Sequence, residues 1–98
     1  KSLTGVLKNA LDWVSRTKGS VFRDKPVAIV SASPGRAGGD RSQFALRLGL
    51  VPFRPRVVPG PEALLAEADK AFDENGHLTD ARMVTNLTDV MTQLKSYI

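Results

Sequence analysis

The chain has 98 residues, a net charge of +4 from 14 Lys and Arg against 10 Asp and Glu, and no cysteine. That is the size of one small domain, without a disulfide framework or thiol chemistry. No apolar run approaches the roughly 20 residues of a membrane span, no signal peptide is visible, and the first residue is Lys1 rather than Met, so an upstream segment is expected. The expectation is a soluble, cytoplasmic domain with neither a membrane nor a nucleic-acid partner. Its basic residues are scattered among acids, with no interleaving of aromatic and basic side chains.

Apolar side chains at Leu3, Val6, Leu7, Ala10, Leu11 and Val14 recur with helical spacing, predicting a helix over 3–16 whose start Ser2 or Thr4 can cap. Trp13 lies at the edge of that stripe, as a packing residue rather than a ligand stacker. Lys25 to Val30 contains a short apolar run rich in β-branched residues, which predicts a strand over 26–33 buried on both faces. Pro34 and the glycines at 35, 38 and 39 turn the chain into a helix from Asp40 to about Val51, with Phe44, Ala45, Leu48 and Val51 inward. Pro52 stops this helix and is expected to expose Phe53.

Arg56-Val57-Val58 reads as a second strand, broken by Pro59-Gly60-Pro61. Glu62 to Phe72 reads as a helix with Pro61 in its first turn. Asp73-Glu74-Asn75-Gly76 is a turn. The last helix, from Asp80 to Tyr97, has the clearest stripe, in Met83, Val84, Leu87, Val90, Met91, Leu94 and Ile98, with Thr79 as cap and Asp80 complementing the dipole. Alternating helices and strands argue α/β with a parallel sheet. About two strands with three to four helices make only half a sheet, whose open edge wants a partner.

There is no catalytic triad and no expected catalytic side chain. One histidine, His77, beside a turn, and no cysteine give no metal-ligand cluster. The informative stretch is Ser31 to Gly39. Open α/β sheets place ligands where hydroxyls follow a buried parallel strand into a glycine turn and a helix N-terminus. Of Ser31 and Ser33, one is expected to face a ligand while the other bonds locally. The turn lacks the Gly-Lys-Ser/Thr ending of a phosphate loop and the glycine spacing of the dinucleotide fingerprint.

Ser2-Leu3-Thr4-Gly5-Val6-Leu7-Lys8-Asn9-Ala10-Leu11-Asp12-Trp13 resembles the S-x-P-G-x-L-K-N-A-x-D-W segment of the NADPH-dependent FMN reductase family, which includes chromate, quinone and azo reductases. Lys25-Pro26-Val27 through Ser33-Pro34-Gly35, with Gly38-Gly39-x-Arg41-x-Gln43, resembles its second signature, and the match continues in register to Leu78. The resemblance implies a flavodoxin-like three-layer sandwich of which residues 1–98 are the C-terminal half. It implies FMN and NADPH as cofactors, a homo-oligomer (dimer or tetramer), and a small-molecule electron acceptor. It places Ser2, Ser31, Ser33, Pro34 and Gly35 at the flavin, and Arg41 in a hydrogen-bond network between subunits near the site. The family's phosphate-binding loop and the Tyr-Asn pair before Ser2 are not in these residues. Thr4 replaces the usual proline, and Pro52 interrupts a helix end that the family tends to continue. The alternative expectation is a non-catalytic piece that acts as an assembly module through its open sheet edge.

Overall fold

In the computed structural model, which describes residues 1–98, three helices pack against short parallel strands. Helix α1 is Gly5–Val14. Thr4, not Ser2, caps it: the Thr4 hydroxyl oxygen accepts from the Leu7 N–H at 3.1 Å, satisfying a donor of the first turn. The Ser15 and Thr17 hydroxyls close the other end by donating to the Asp12 and Val14 carbonyls.

The extended run after Lys25 does not form one strand. It divides into β1 (Pro26–Val27) and β2 (Val30–Ala32), which pair in parallel with β3 (Arg56–Val57) and β4 (Ala63–Leu65) respectively. The partner explains the break. Pro59 and Pro61 stand between β3 and β4, and neither carries an N–H for the ladder. The helix expected over Glu62–Phe72 is instead β4 followed by a 3-10 turn at Ala68–Lys70. Ala63 is wholly buried and the register sets Ser31 beside Leu64. Glu67, with φ of 47°, leaves helical backbone altogether. Strand pairing has overridden a local preference for helix.

Side-chain alternation along the strands assigns two cores. Leu11, Ile29 and Leu50 form one, flanked by Leu46, Phe53 and Val57. Val58, Ala63, Met83 and Val90 form the other, with Ala28, Leu65, Leu87 and Leu94 packed on it. Val57 and Val58, like Ile29 and Ala28, are adjacent in sequence and enter opposite cores, as extended backbone requires. Helices α1 and α2 (Asp40–Leu50) therefore lie on one side of the strands and α3 (Ala81–Ser96) on the other. The α/β class and parallel pairing agree with expectation. No helix is long and apolar enough to cross a membrane.

Several expected inward residues point out. Helix α2 buries Gln43 and Leu50, while Phe44, Leu48 and Val51 are exposed. Val6 and Trp13 of α1 are likewise exposed, and β2 is not covered on both faces, since Val30 is 50% exposed. Phe53 is half-buried rather than exposed, because the 3-10 turn at Val51–Phe53 sets its ring edge-on to Phe22 with centroids 5.5 Å apart. Helix α3 is capped by Asp80, whose carboxylate accepts from the Arg82 N–H, and not by Thr79. Its Val84 and Met91, and Ile98 just beyond it, stand outside the core. The Asp73 carboxylate accepts from the Asn75 and His77 N–H groups, closing the turn that Gly76 permits with φ of 78°.

Leu50→Ala should cost about 2–5 kcal/mol, whereas Leu48→Ala, two residues earlier, should change stability by less than about 0.5 kcal/mol. Urea midpoints of the two variants measure the difference.

Candidate functional site

After Ala32 the chain turns through residues 33–39 into α2. The turn is stitched to the segment after β4: the Ser33 N–H donates to Leu65 O, the Ala68 N–H to Ser33 O, and the Glu67 N–H to Gly35 O, at 2.9–3.0 Å. Gly38 and Gly39 take φ of 64° and 87°. A Cβ at Gly38 would stand 2.9 Å from Leu64 Cβ, and one at Gly39 would stand 2.9 Å from Ser31 Cβ and Oγ. Dihedral and space both require glycine at these two positions.

Gln43 lies beneath this turn and is 2% exposed. Its Nε2 donates to Ser31 Oγ at 2.8 Å and to Ala63 O at 3.1 Å, and the Ser31 hydroxyl in turn donates to Gly38 O at 2.6 Å. A carbonyl can only accept, so the Ala63 contact fixes which end of the amide is the nitrogen. One side chain thus joins α2, β2, β4 and the glycine turn. Its Oε1 is buried without a partner, so the two donations must outweigh that desolvation.

The turn borders a cleft of about 510 Å³ that brings together Ser2, Ser33, Gly35 and Arg41, with Lys1, Thr4, Arg36 and Asp40 also lining it. The Ser33 hydroxyl oxygen accepts from the Gly35 N–H at 3.1 Å. Ser31 does not line this cleft. Its hydroxyl is engaged by Gly38 and Gln43, and it lines a smaller hollow of about 160 Å³ that shares Ser2, Thr4 and Ser42 with the larger one. Pro34 is exposed on the turn and lines neither. Arg41 reaches the cleft from the first turn of α2, where its N–H donates to the Asp40 carboxylate. Sequence reading quoted Gln43 only as part of a motif and passed over Lys1 and Arg36. An amide four residues after a Gly-Gly turn, on the face opposite the obvious apolar stripe, was the available signal for Gln43. No group of three or more His, Cys, Asp or Glu is placed to hold a metal ion.

A parallel strand that delivers serines into a glycine turn at the head of a helix is the arrangement at which open α/β domains place ligands. The chain belongs to the NADPH-dependent FMN reductase family, whose profile matches residues 1–70 and so includes every residue of the cleft. It is 46% identical over 79 residues to an NAD(P)H-dependent FMN reductase of Pseudomonas aeruginosa, an alignment covering 81% of this chain and 43% of that protein. It is 36% identical over 94 residues to the NADH:(hydroxy)cinnamate reductase subunit CrdA of Vibrio ruber, covering 94% and 46%. It is 38% identical over 98 residues to an NADPH:quinone oxidoreductase of Arabidopsis thaliana, covering 98% and 49%. The chain spans just under half the length of these curated relatives. The family is flavodoxin-like, and its cofactors are FMN and NAD(P)H.

Gly39→Ala should lower stability by about 1–3 kcal/mol, because it combines backbone strain with the clash against Ser31. Gly49→Ala should raise it by about 0.5–1 kcal/mol, since Gly49 lies inside α2 and a Cβ there meets nothing within 4 Å. Thermal melts of the pair test whether the glycines differ in this way.

Proposed function

We propose that residues 1–98 form the C-terminal half of a flavodoxin-like FMN reductase domain, whose whole protein uses NADPH to reduce flavin, quinone, chromate or azo acceptors. The observation that carries this reading is the cleft, where Ser2 and Ser33 meet beside Gly35 at the carboxyl end of β2. Its volume falls within the roughly 300–1,000 Å³ of ligand sites. Hydroxyls and turn backbone suit the edge of a flat heterocycle bearing carbonyls and ring nitrogens, so the residues present fit the isoalloxazine part of FMN. Ser2, Ser33 and Gly35 would hold it, with Pro34 shaping the turn between them and Ser31 acting one step behind by fixing Gly38. When bound, FMN supplies the two-electron chemistry between nicotinamide and acceptor. The protein binds, orients and excludes water, and no side chain here need be an acid or base.

The exposed apolar side chains favour assembly. Val6 and Trp13, seven residues apart, form a stripe on α1, and Phe44, Leu48 and Val51 form one on α2. Both helices lie on the same side of the strands. Such a face suits a second copy, giving a dimer or a tetramer, with Arg41 nearby. A second reading, in which these residues alone serve as an assembly module, is favoured by the strands themselves. β1 and β2 are each paired on one edge only, and Val30 is 50% exposed.

Flavin fluorescence titration and amide shifts test the reading. FMN should perturb Ser33 to Arg41 at millimolar but not sub-micromolar concentration, because the family's phosphate-binding loop lies outside these residues, and the chain alone should not oxidise NADPH. Sub-micromolar affinity would overturn the half-domain reading. Absence of any shift in the turn at saturating FMN would overturn the site.

A further inference from the structure

The end of the strands away from the cleft is where the fold collects its charge. Residues 15–25 lead from α1 into β1, residues 51–56 lead from α2 into β3, and the two segments lie side by side. The Asp24 N–H donates to Arg54 O and the Arg56 N–H to Lys25 O, at 2.9–3.0 Å. Together they carry Arg16, Lys18, Arg23, Lys25, Arg54 and Arg56, six of the chain's 14 basic residues, and Asp24, one of its 10 acidic ones. That surplus exceeds the +4 of the whole chain. All six cations are exposed, and none is ion-paired, since the salt bridge in the chain is Lys8–Asp12 on α1. Arg56 is held by neutral groups: it donates to Asp24 O and Tyr97 O and lies over the Tyr97 ring, so its guanidinium is fixed while its charge stays uncancelled. Three of the four non-glycine residues with positive φ also lie here, Ser20 at 42°, Asp24 at 58° and Arg54 at 56°. Strained backbone and gathered like charges both cost stability, and no internal ion pair offsets them.

We propose that this end of the chain is a docking surface for an anionic lipid bilayer. Six exposed cations on two adjoining segments fall within the roughly four to eight of basic clusters that bind anionic headgroups. A bilayer is planar and demands no groove, so both segments can meet it together. Val21, which follows Lys18 and precedes Arg23, is 50% exposed and offers an aliphatic side chain to the boundary between headgroups and acyl chains. Between the segments lies a hollow of about 140 Å³, whose lining includes Ser20, Arg23 and Arg54. It suits one headgroup phosphate, which an arginine fork can hold by two parallel bonds. Nucleic acid fits less well. Single strands stack on open rings, whereas Phe22 and Phe53 are half-buried and turned edge-on to each other. The cleft lies beyond the carboxyl end of β2, so a docked chain keeps it open to solutes. The inference goes beyond the proposed function and does not depend on it. It departs from the expectation of no membrane partner, which rested on the order of charges along the sequence; the fold brings together segments that the sequence sets far apart.

Vesicle sedimentation tests the surface. The 98-residue chain is mixed with vesicles of phosphatidylcholine alone, or of phosphatidylcholine with about one-third phosphatidylserine, at low and high salt. Partitioning onto the anionic vesicles should exceed that onto the neutral ones by at least about tenfold at low salt, and most of that margin should vanish at high salt. Arg23→Gln with Arg54→Gln should weaken binding to anionic vesicles about tenfold. Lys70→Gln with Arg82→Gln removes the same charge from exposed positions elsewhere and should change binding by less than about threefold. Arg23→Lys with Arg54→Lys should bind within about twofold of the unaltered chain, which separates loss of charge from damage to the fold. Val21→Ser should weaken binding about threefold, through lost apolar contact. Equal partitioning onto neutral and anionic vesicles, equal losses from the two glutamine pairs, or failure of the lysine pair to bind overturns the inference. A chain that ignores anionic vesicles but binds a short single-stranded oligonucleotide also overturns it and assigns the patch to nucleic acid.

Discussion

One buried amide ties the candidate ligand edge together. Gln43 reaches from α2 to both strands of the β2–β4 pair, and through Ser31 to the glycine turn. It adds to bonds already there: the Ser31 hydroxyl donates to Gly38 O, and the turn is tied to the segment after β4 through Ser33 and Gly35. The requirement runs both ways. The amide can be buried because two acceptors meet its nitrogen, and those acceptors converge because Gly39 brings the backbone within contact distance of Ser31. Placement of Ser33 and Gly35 in the cleft follows from this arrangement together with their backbone bonds to Leu65, Glu67 and Ala68.

Much of this could be read from the sequence, and the failures have physical causes. The three helices, the glycine turn and the α/β class come from local signals: periodicity, capping residues, and proline and glycine punctuation. The family came from two motifs with the right separation. What sequence reading missed depends on distant partners. Ala63-Leu64-Leu65 has the composition of a helix and is a strand because β2 offers an edge to it. The run after Lys25 is two segments because its partner contains two prolines.

The inward face of α2 was misread for a related reason. Hydrophobicity marks Phe44, Leu48 and Val51, yet the strand layer lies against Gln43, Leu46 and Leu50. An apolar stripe shows only that something is to be covered. In this chain the covered stripe and the exposed one share a helix, and the polar residue is the buried one. Charge adds something that the sequence order does not display. The basic residues look scattered in sequence, but the fold gathers Arg23, Lys25, Arg54 and Arg56 around the starts of β1 and β3, with the Arg56 guanidinium on the Asp24 carbonyl and over the Tyr97 ring.

The hydrogen-bond chain through Gln43 joins residues that are only 7, 12 and 20 positions apart. Closing such short loops costs little chain entropy, so this corner is favoured to form early relative to contacts such as Arg56 with the Tyr97 carbonyl, 41 positions apart. The C-terminal helix then covers the opposite face of β4, where Met83 and Val90 pack against Ala63. The corner is closed only when residues 65–68 are in place, since the Leu65 and Ser33 carbonyls and the Glu67 N–H complete it, so its smallest self-consistent span runs from β2 through the 3-10 turn at Ala68–Lys70.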